Sequence, residues 1–188
     1  GNYTRYAYDG AGNPIVIADP KMLSMSNVVG ILASYNAFGH KEWVEDPDWW
    51  DDIANDHGYK TFTYNALGEV LSELDPNGNL IEMSYDELGR MTERKVNGDL
   101  TGKWHYDNTD TYKGLGLLDF EDSQFQDDGS RLQKFYYYSS AATGRKDLLQ
   151  VTHRIYENDD QYDFEEYDVQ HFTDGFYARP KGLRYPGG

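Results

Sequence analysis

Thr61-Phe-Thr-Tyr64-Asn65-Ala-Leu-Gly68-Glu69, Glu82-Met-Ser-Tyr85-Asp86-Glu-Leu-Gly89-Arg90 and Lys103-Trp-His-Tyr106-Asp107 repeat one pattern within residues 61–107. Tyr64, Tyr85 and Tyr106 stand 21 residues apart, and each is followed by Asn or Asp. A fixed period near 20 residues marks a chain built from one recurring supersecondary unit. The stretch decides the fold, and the rest of the chain is read outward from it.

Each copy reads as a β-hairpin. The Asn or Asp after the tyrosine can bond its own backbone two residues on, and Gly68 and Gly89, three positions later, accept a left-handed backbone. Asp75-Pro76-Asn77-Gly78 has the residue order of a type I turn, and Asn97-Gly98 is a short hairpin signal. Reversals at 65–68, 75–78, 86–89 and 97–98 leave strands of about six residues. The expected arrangement is an antiparallel meander. Phe62 and Tyr64, then Ile81, Met83 and Tyr85, then Leu100, Trp104 and Tyr106 share one parity. Thr61, Thr63, Glu82, Ser84, Lys103 and His105 take the other. A strand alternates faces, so the aromatics are expected on one side of the sheet and the polar groups on the other.

Two further copies lie upstream, Tyr6-Ala-Tyr8-Asp9-Gly-Ala-Gly12-Asn13 and Ala33-Ser-Tyr35-Asn36-Ala-Phe-Gly39-His40. The motif Tyr-x-Tyr-Asp-x-x-Gly-Arg, complete at Met83 to Arg90 apart from its first tyrosine, resembles the tyrosine-aspartate (YD) repeat of RHS proteins. That family includes Tc toxin and Rhs toxin shells, wall-associated bacterial proteins and teneurins. The resemblance implies an all-β fold, an antiparallel meander of YD hairpins in a curved or spiralling sheet. It also marks Tyr8, Asp9, Gly12, Tyr35, Asn36, Gly39, Tyr64, Asn65, Gly68, Tyr85, Asp86, Gly89, Arg90, Tyr106 and Asp107 as the structural repeat motif. Residues 1–188 are then a single fragment of a repeat array, regular over about 3–108 and looser over 109–188.

The intervals from Tyr8 to Tyr35 and from Tyr35 to Tyr64 are 27 and 29 residues, so these copies carry insertions. The second insertion predicts one short helix near 47–56. Asp46 can cap it, Pro47 suits its first position, Asp48 favours the positive end of the dipole, and Trp49, Trp50 and Ile53 would give it an apolar side. Later, Phe120 to Arg131 reads as acidic and turn-rich, while Leu132 to Tyr138, Leu148 to Tyr156 and Tyr162 to Phe172 read as strands. The acidic run from Glu157 to Asp168 is expected to be a strand edge blunted by charge.

Composition narrows the function. Aromatic residues reach 15%, with 17 tyrosines, so half-buried rings rather than aliphatic side chains build the sheet faces. The net charge of -16 opposes a nucleic-acid partner, which needs basic neutralisation of phosphate. No apolar run reaches the ~18 residues of a membrane span. The chain has no cysteine, hence no disulfide and no thiolate metal site. The acidic cluster Asp46, Asp48, Asp51, Asp52 and Asp56 fails as an EF-hand, with Trp50 at the fifth position and Asp51 where glycine is required. The five histidines lack the spacing of a zinc helix, and Gly-x-Ser-x-Gly is absent. No catalytic residue, metal or cofactor is therefore expected.

The sequence and its resemblance imply a structural segment of an RHS-repeat shell that encapsulates or presents a C-terminal toxin in a secreted bacterial protein. Its partners would be the remainder of the parent RHS protein and its payload, with self-association through strand edges. The alternative is a cell-surface module that binds carbohydrate or protein, with Trp43, Trp49, Trp50 and Trp104 stacking on glycans. Exposure of those tryptophans on one open face would favour the alternative.

Overall fold

The computed structural model describes residues 3–18, 30–51, 56–107, 115–123, 130–138, 147–157, 164–173 and 180–184, with no side-chain description for 50–57 or 172–181. All regular structure among the described residues is β. The fourteen strands are β1 (Arg5–Tyr8), β2 (Pro14–Ala18), β3 (Ile31–Tyr35), β4 (Lys41–Asp51), β5 (Asp56–Tyr64), β6 (Val70–Leu74), β7 (Leu80–Tyr85), β8 (Met91–Val96), β9 (Asp99–Tyr106), β10 (Leu118–Ser123), β11 (Arg131–Tyr138), β12 (Leu148–Tyr156), β13 (Phe164–Thr173) and β14 (Pro180–Arg184). They form one antiparallel sheet whose strand order is chain order, unclosed between β1 and β14. From β5 to β9 short polar turns explain this, because a turn of a few residues can only lay the next strand beside the last.

The chain divides into two compact units, residues 1–84 with 95–99, and residues 85–94 with 100–188. In the first unit the register Thr63↔Ser72↔Glu82 gathers polar side chains on one face, and Phe62↔Glu73↔Ile81 lies on the other. Strand β7 alternates as expected, with Ile81, Met83 and Tyr85 half-buried and Leu80, Glu82 and Ser84 exposed.

The second unit departs from a single aromatic face. Register aligns His105, Phe120, Phe135 and Thr152 on one side, and Trp104, Glu121, Lys134, His153 and Tyr167 on the other. The parity that is polar at Lys103 and His105 thus turns aromatic in the next strand, at Phe120. Ring stacking holds that ladder, with centroids 3.9 Å apart for His105–Phe120 and 5.5 Å for Phe120–Phe135. Four of the buried side chains, Val151, Thr152, Tyr156 and Val169, lie in β12 and β13.

Three expectations are corrected. The helix near 47–56 does not form: β4 runs through Asp51 and β5 begins at Asp56, while 52–55 lie outside the described residues. The two strands pair Glu45↔Tyr59 and Trp50↔His57, so residues 46–49 bulge out of register opposite Gly58. Pro47, which cannot donate to a ladder, sits in that bulge, and Asp48 N–H bonds Asp46 Oδ1 at 3.0 Å. Propensity for a capped helix loses to continued strand pairing, which two adjacent tryptophans favour. Second, of the turn-rich stretch expected over Phe120 to Arg131, residues 120–123 belong to strand β10 and Arg131 opens β11, while 124–129 lie outside the described residues. Third, β13 is no edge, since it pairs with β12 and β14. Its acids meet partners instead: Glu166 bonds Arg154 at 2.6 Å, and Asp168 accepts the Thr152 hydroxyl at 2.7 Å.

Candidate functional site: the recurrent turn

The turns at Asp9, Asn36, Asn65, Asp75 and Asp86 share one hydrogen-bond scheme. In the Asn65 turn the amides of Leu67 and Glu69 donate to Asn65 Oδ1 at 2.9 and 3.0 Å. The Asn65 amide donates to the Glu69 carbonyl at 3.0 Å, and the Gly68 amide to the Asn65 carbonyl at 3.1 Å. A single side-chain oxygen thereby satisfies two turn amides that strand pairing cannot reach. The glycine three positions on carries a left-handed φ, +86° at Gly68 and +76° at Gly89, which an L side chain adopts only at a cost.

Asp75 to Gly78 makes the same bonds without a preceding tyrosine. What separates the tyrosine turns is a register slip of one residue just before Tyr8, Tyr35 and Tyr64. No slip accompanies the Asp75 turn. The turns after Tyr8, Tyr35 and Tyr64 are therefore bulged hairpins, with the added local twist that a bulge brings.

Sequence reading marked the residue four places after the Asn or Asp only at Arg90, as part of the repeat motif, and in the structure this position completes the lock. Asn13 Nδ2 donates to Asp9 Oδ2 at 2.9 Å, Asn79 Nδ2 to Asp75 Oδ2 at 2.8 Å, and Arg90 Nε to Asp86 Oδ2 at 2.7 Å. Where the turn begins with Asn65 the polarity inverts, and its amide donates to the Glu69 carboxylate. The signal was present as complementary pairs at i and i+4, donor opposite acceptor. These bonds hold the Asp9, Asp75 and Asp86 carboxyls below the usual range, chiefly through Asn13, Asn79 and the Arg90 amide and guanidinium respectively.

The same position reaches the next copy of the turn. His40 lies against Tyr64, with ring centroids 4.8 Å apart, and a methyl group on Gly68 would stand 2.8 Å from His40 Nε2. Arg90 spans two copies in the second unit: besides Asp86, its guanidinium donates to Asp107 Oδ1 and Oδ2 at 3.1 and 2.6 Å, and lies 4.4 Å from the centre of the Tyr106 ring. This bidentate pairing with stacking is specific to arginine's planar fork. It raises the Arg90 pKa, through Asp107 first and Asp86 second.

The tyrosine hydroxyls add a second link between copies. Tyr64 Oη donates to the Lys41 carbonyl at 2.7 Å, and Tyr106 Oη to the Met91 carbonyl at 2.9 Å. Both acceptors lie five residues after the Asn or Asp of the preceding copy. Burial pushes both hydroxyls' pKa up.

Among the remaining expected site residues, Asp107 itself takes φ +62° and accepts the Gly116 amide at 2.6 Å. Trp43 faces Ser34 and Thr61 across its neighbours, Trp49 lies 5.8 Å from Lys60 Nζ, and Trp104 folds back over Gly102. All three are half-buried; the Trp50 side chain lies outside the described residues. Among the described residues no group of three or more His, Asp or Glu side chains is placed to hold a metal ion.

Residues 64–101, which contain two of these turns with their tyrosines and the Arg90 fork, match the family model of the RHS repeat. The stretch is an RHS repeat. Comparison with curated proteins returns no match. Among solved structures, the crystal structure of TcdB2-TccC3-TEV has a TM-score of 0.52 at 13% identity, covering 97% of this chain and 11% of that one. TcdB2-TccC3 without its hypervariable C-terminal region gives 0.47 at 14% identity, covering 97% and 10%. The Photorhabdus luminescens Tc holotoxin pore gives 0.39 at 14%, covering 97% and 13%. The first likeness is one of fold, over 97% of this chain; the chain spans about a tenth of that protein's length.

Proposed function

We propose that this chain is a structural segment of an RHS-repeat wall in a secreted bacterial protein, a wall that encloses or presents a C-terminal toxin of the parent. The observation that carries this reading is the lock between successive turns, Arg90 on Asp86 and Asp107 above all. Its polar groups are spent on one another, so the motif works as a fastener between hairpins. A sheet that grows by adding fastened hairpins can be long without a deep core. The half-buried tryptophans favour this wall over a glycan-stacking platform.

The test is protection. A longer parent polypeptide carrying a protease-sensitive reporter at its C-terminal side should shield that reporter from added protease until the wall is denatured. A reporter cleaved as fast as the free protein would contradict the enclosing role.

A further inference from the structure

Strands β11, β12 and β13 bring Lys134, His153 and Tyr167 into one cross-strand row. The His153 ring lies flat on Tyr167, with centroids 4.6 Å apart and planes 7° from parallel. On the same face, two residues along the same strands, Val151 pairs with Val169, and both are buried. His153 Nδ1 is shut off from solvent, and no described residue makes a hydrogen bond to it. A neutral imidazole accepts that setting, because its one proton can sit on Nε2 and leave Nδ1 bare. An imidazolium does not. It must carry N–H at both nitrogens, and the one at Nδ1 would be buried without an acceptor.

The groups facing the ring do not rescue the cation. Lys134 on β11 is its direct cross-strand neighbour, with Cβ atoms roughly 5 Å away, so a charged His153 would meet an ammonium. Glu121 on β10 is bonded to that ammonium at 2.7 Å and stands two strands from His153, roughly 10 Å. Asp119 lies two residues farther along the same face of β10. Tyr136, diagonal to His153 on β11, is neutral, since burial and the nearby Glu121 push its pKa up. On β13, Glu165 sits diagonally and exposed, where water screens it, and His171 lies four residues beyond Tyr167. The Tyr167 ring would attract a cation, but it is exposed too, which weakens that attraction relative to the loss at the buried Nδ1. Burial first and Lys134 second hold the His153 pKa below its ordinary value, against a smaller pull from Glu121.

We infer that His153 is an acid-operated latch: neutral, it closes β12 on β13 by stacking on Tyr167, and protonated it leaves the stack and lets that strand pair open locally. Opening frees the ring to take a proton that it holds poorly when stacked. Closure is therefore complete above the unfolded value of about 6.5 and weakens as pH falls toward the folded one. The latch goes beyond the wall reading and does not depend on it.

The test pairs amide exchange in β12 and β13, taken relative to the intrinsic rate at each pH from about 7.5 to about 5, with an NMR titration of the His153 ring. In the unaltered chain, protection across β12–β13 should fall at least ~3-fold over that range, within the roughly tenfold per pH unit that one proton allows, while β6–β7 keeps its protection. His153→Phe keeps a ring on Tyr167 that cannot be protonated, and should remove the fall. Lys134→Gln should weaken it, because the pKa of the stacked ring moves back toward its ordinary value. His105→Phe, on the opposite face, should leave it intact. Matching thermal midpoints at the upper pH establish that the variants fold, and the ring titration needs no variant. The His153 ring should titrate below about 6.5. Titration at or above that value, an undiminished fall in His153→Phe, or an equal fall in β6–β7 overturns the latch.

Discussion

The turns between β5 and β9 and the long strands β11 to β13 hold the same kind of sheet by different means. In the first region no side chain from Thr61 to Leu100 is buried, and order comes from turns in which the leading Asn or Asp side chain binds two backbone amides. In the second, Val151, Thr152, Tyr156 and Val169 are buried, and order comes from cross-strand ladders, including Lys134–Glu121 at 2.7 Å and Arg154 lying 4.4 Å from the centre of the Phe135 ring. A sheet with little burial is therefore fixed at its turns in the first region, whereas in the second the faces of the strands hold it.

The largest effect that would break this contrast is expected at Tyr156. It is 5% exposed, lies under Arg131 at 4.2 Å, meets Phe164 at 5.3 Å between centroids, and donates to Gln133 Oε1 at 2.7 Å. Tyr156→Ala should cost about 3–5 kcal/mol in urea unfolding, as for other large aromatic truncations. A cost below ~1 kcal/mol would mean that the faces of this region are not what holds it.

Two glycines of the first region sharpen the account. Gly68 and Gly78 have nearly the same φ, +86° and +82°, but only Gly68 has His40 against it. Gly78→Ala should cost about 1 kcal/mol for the left-handed backbone alone. Gly68→Ala should cost more by displacing His40 from Tyr64, and Gly89→Val at least ~1 kcal/mol. Equal midpoints for Gly68→Ala and Gly78→Ala would remove the link between copies.

Acid should separate the regions in order. Burial lowers the pKa of His105 and His153, which stack on Phe120 and Tyr167. Neutral in the fold, they contribute stability above the unfolded value of about 6.5 that is lost as pH falls toward their folded values. The turn aspartates Asp9, Asp75 and Asp86 also have depressed pKa values, so their contribution persists until pH falls below about 3.9. Amide protection, taken relative to the intrinsic exchange rate at each pH from 7 downward, should be lost first in β10–β13 and only later at the turns, with Asp86→Asn flattening the later phase. Simultaneous loss would contradict two separate mechanisms. The smallest effect is expected at the exposed pair Arg154–Glu166, where Glu166→Gln should shift stability by about 0–1 kcal/mol.

The first region was legible because its code is local. A tyrosine, an Asn or Asp and a glycine at fixed offsets specify a turn whoever its neighbours are, so Tyr64, Tyr85 and their glycines could be placed from sequence. The i+4 residue was marked only at Arg90, and its partners escaped because they lie in the next copy, visible only once His40 meets Tyr64 and Arg90 meets Asp107. The missing helix failed for a related reason. Pro47 and Asp48 carry good local helix signals, but the partner strand decides, and pairing with β5 is a long-range fact. The β13 acids were misread as an edge because nothing within Phe164–Thr173 announces that Pro180–Arg184 will cover it.

The most direct test of the central claim, that fastened turns lay each strand beside only its predecessor and successor, is a map of cross-strand backbone NOEs in solution. The account predicts contacts at Thr63/Ser72, Ser72/Glu82, Lys134/His153 and His153/Tyr167, the register found here. Contacts between strands not adjacent in the chain, or helical sequential contacts across Tyr64–Asn65 or Tyr85–Asp86, would contradict it.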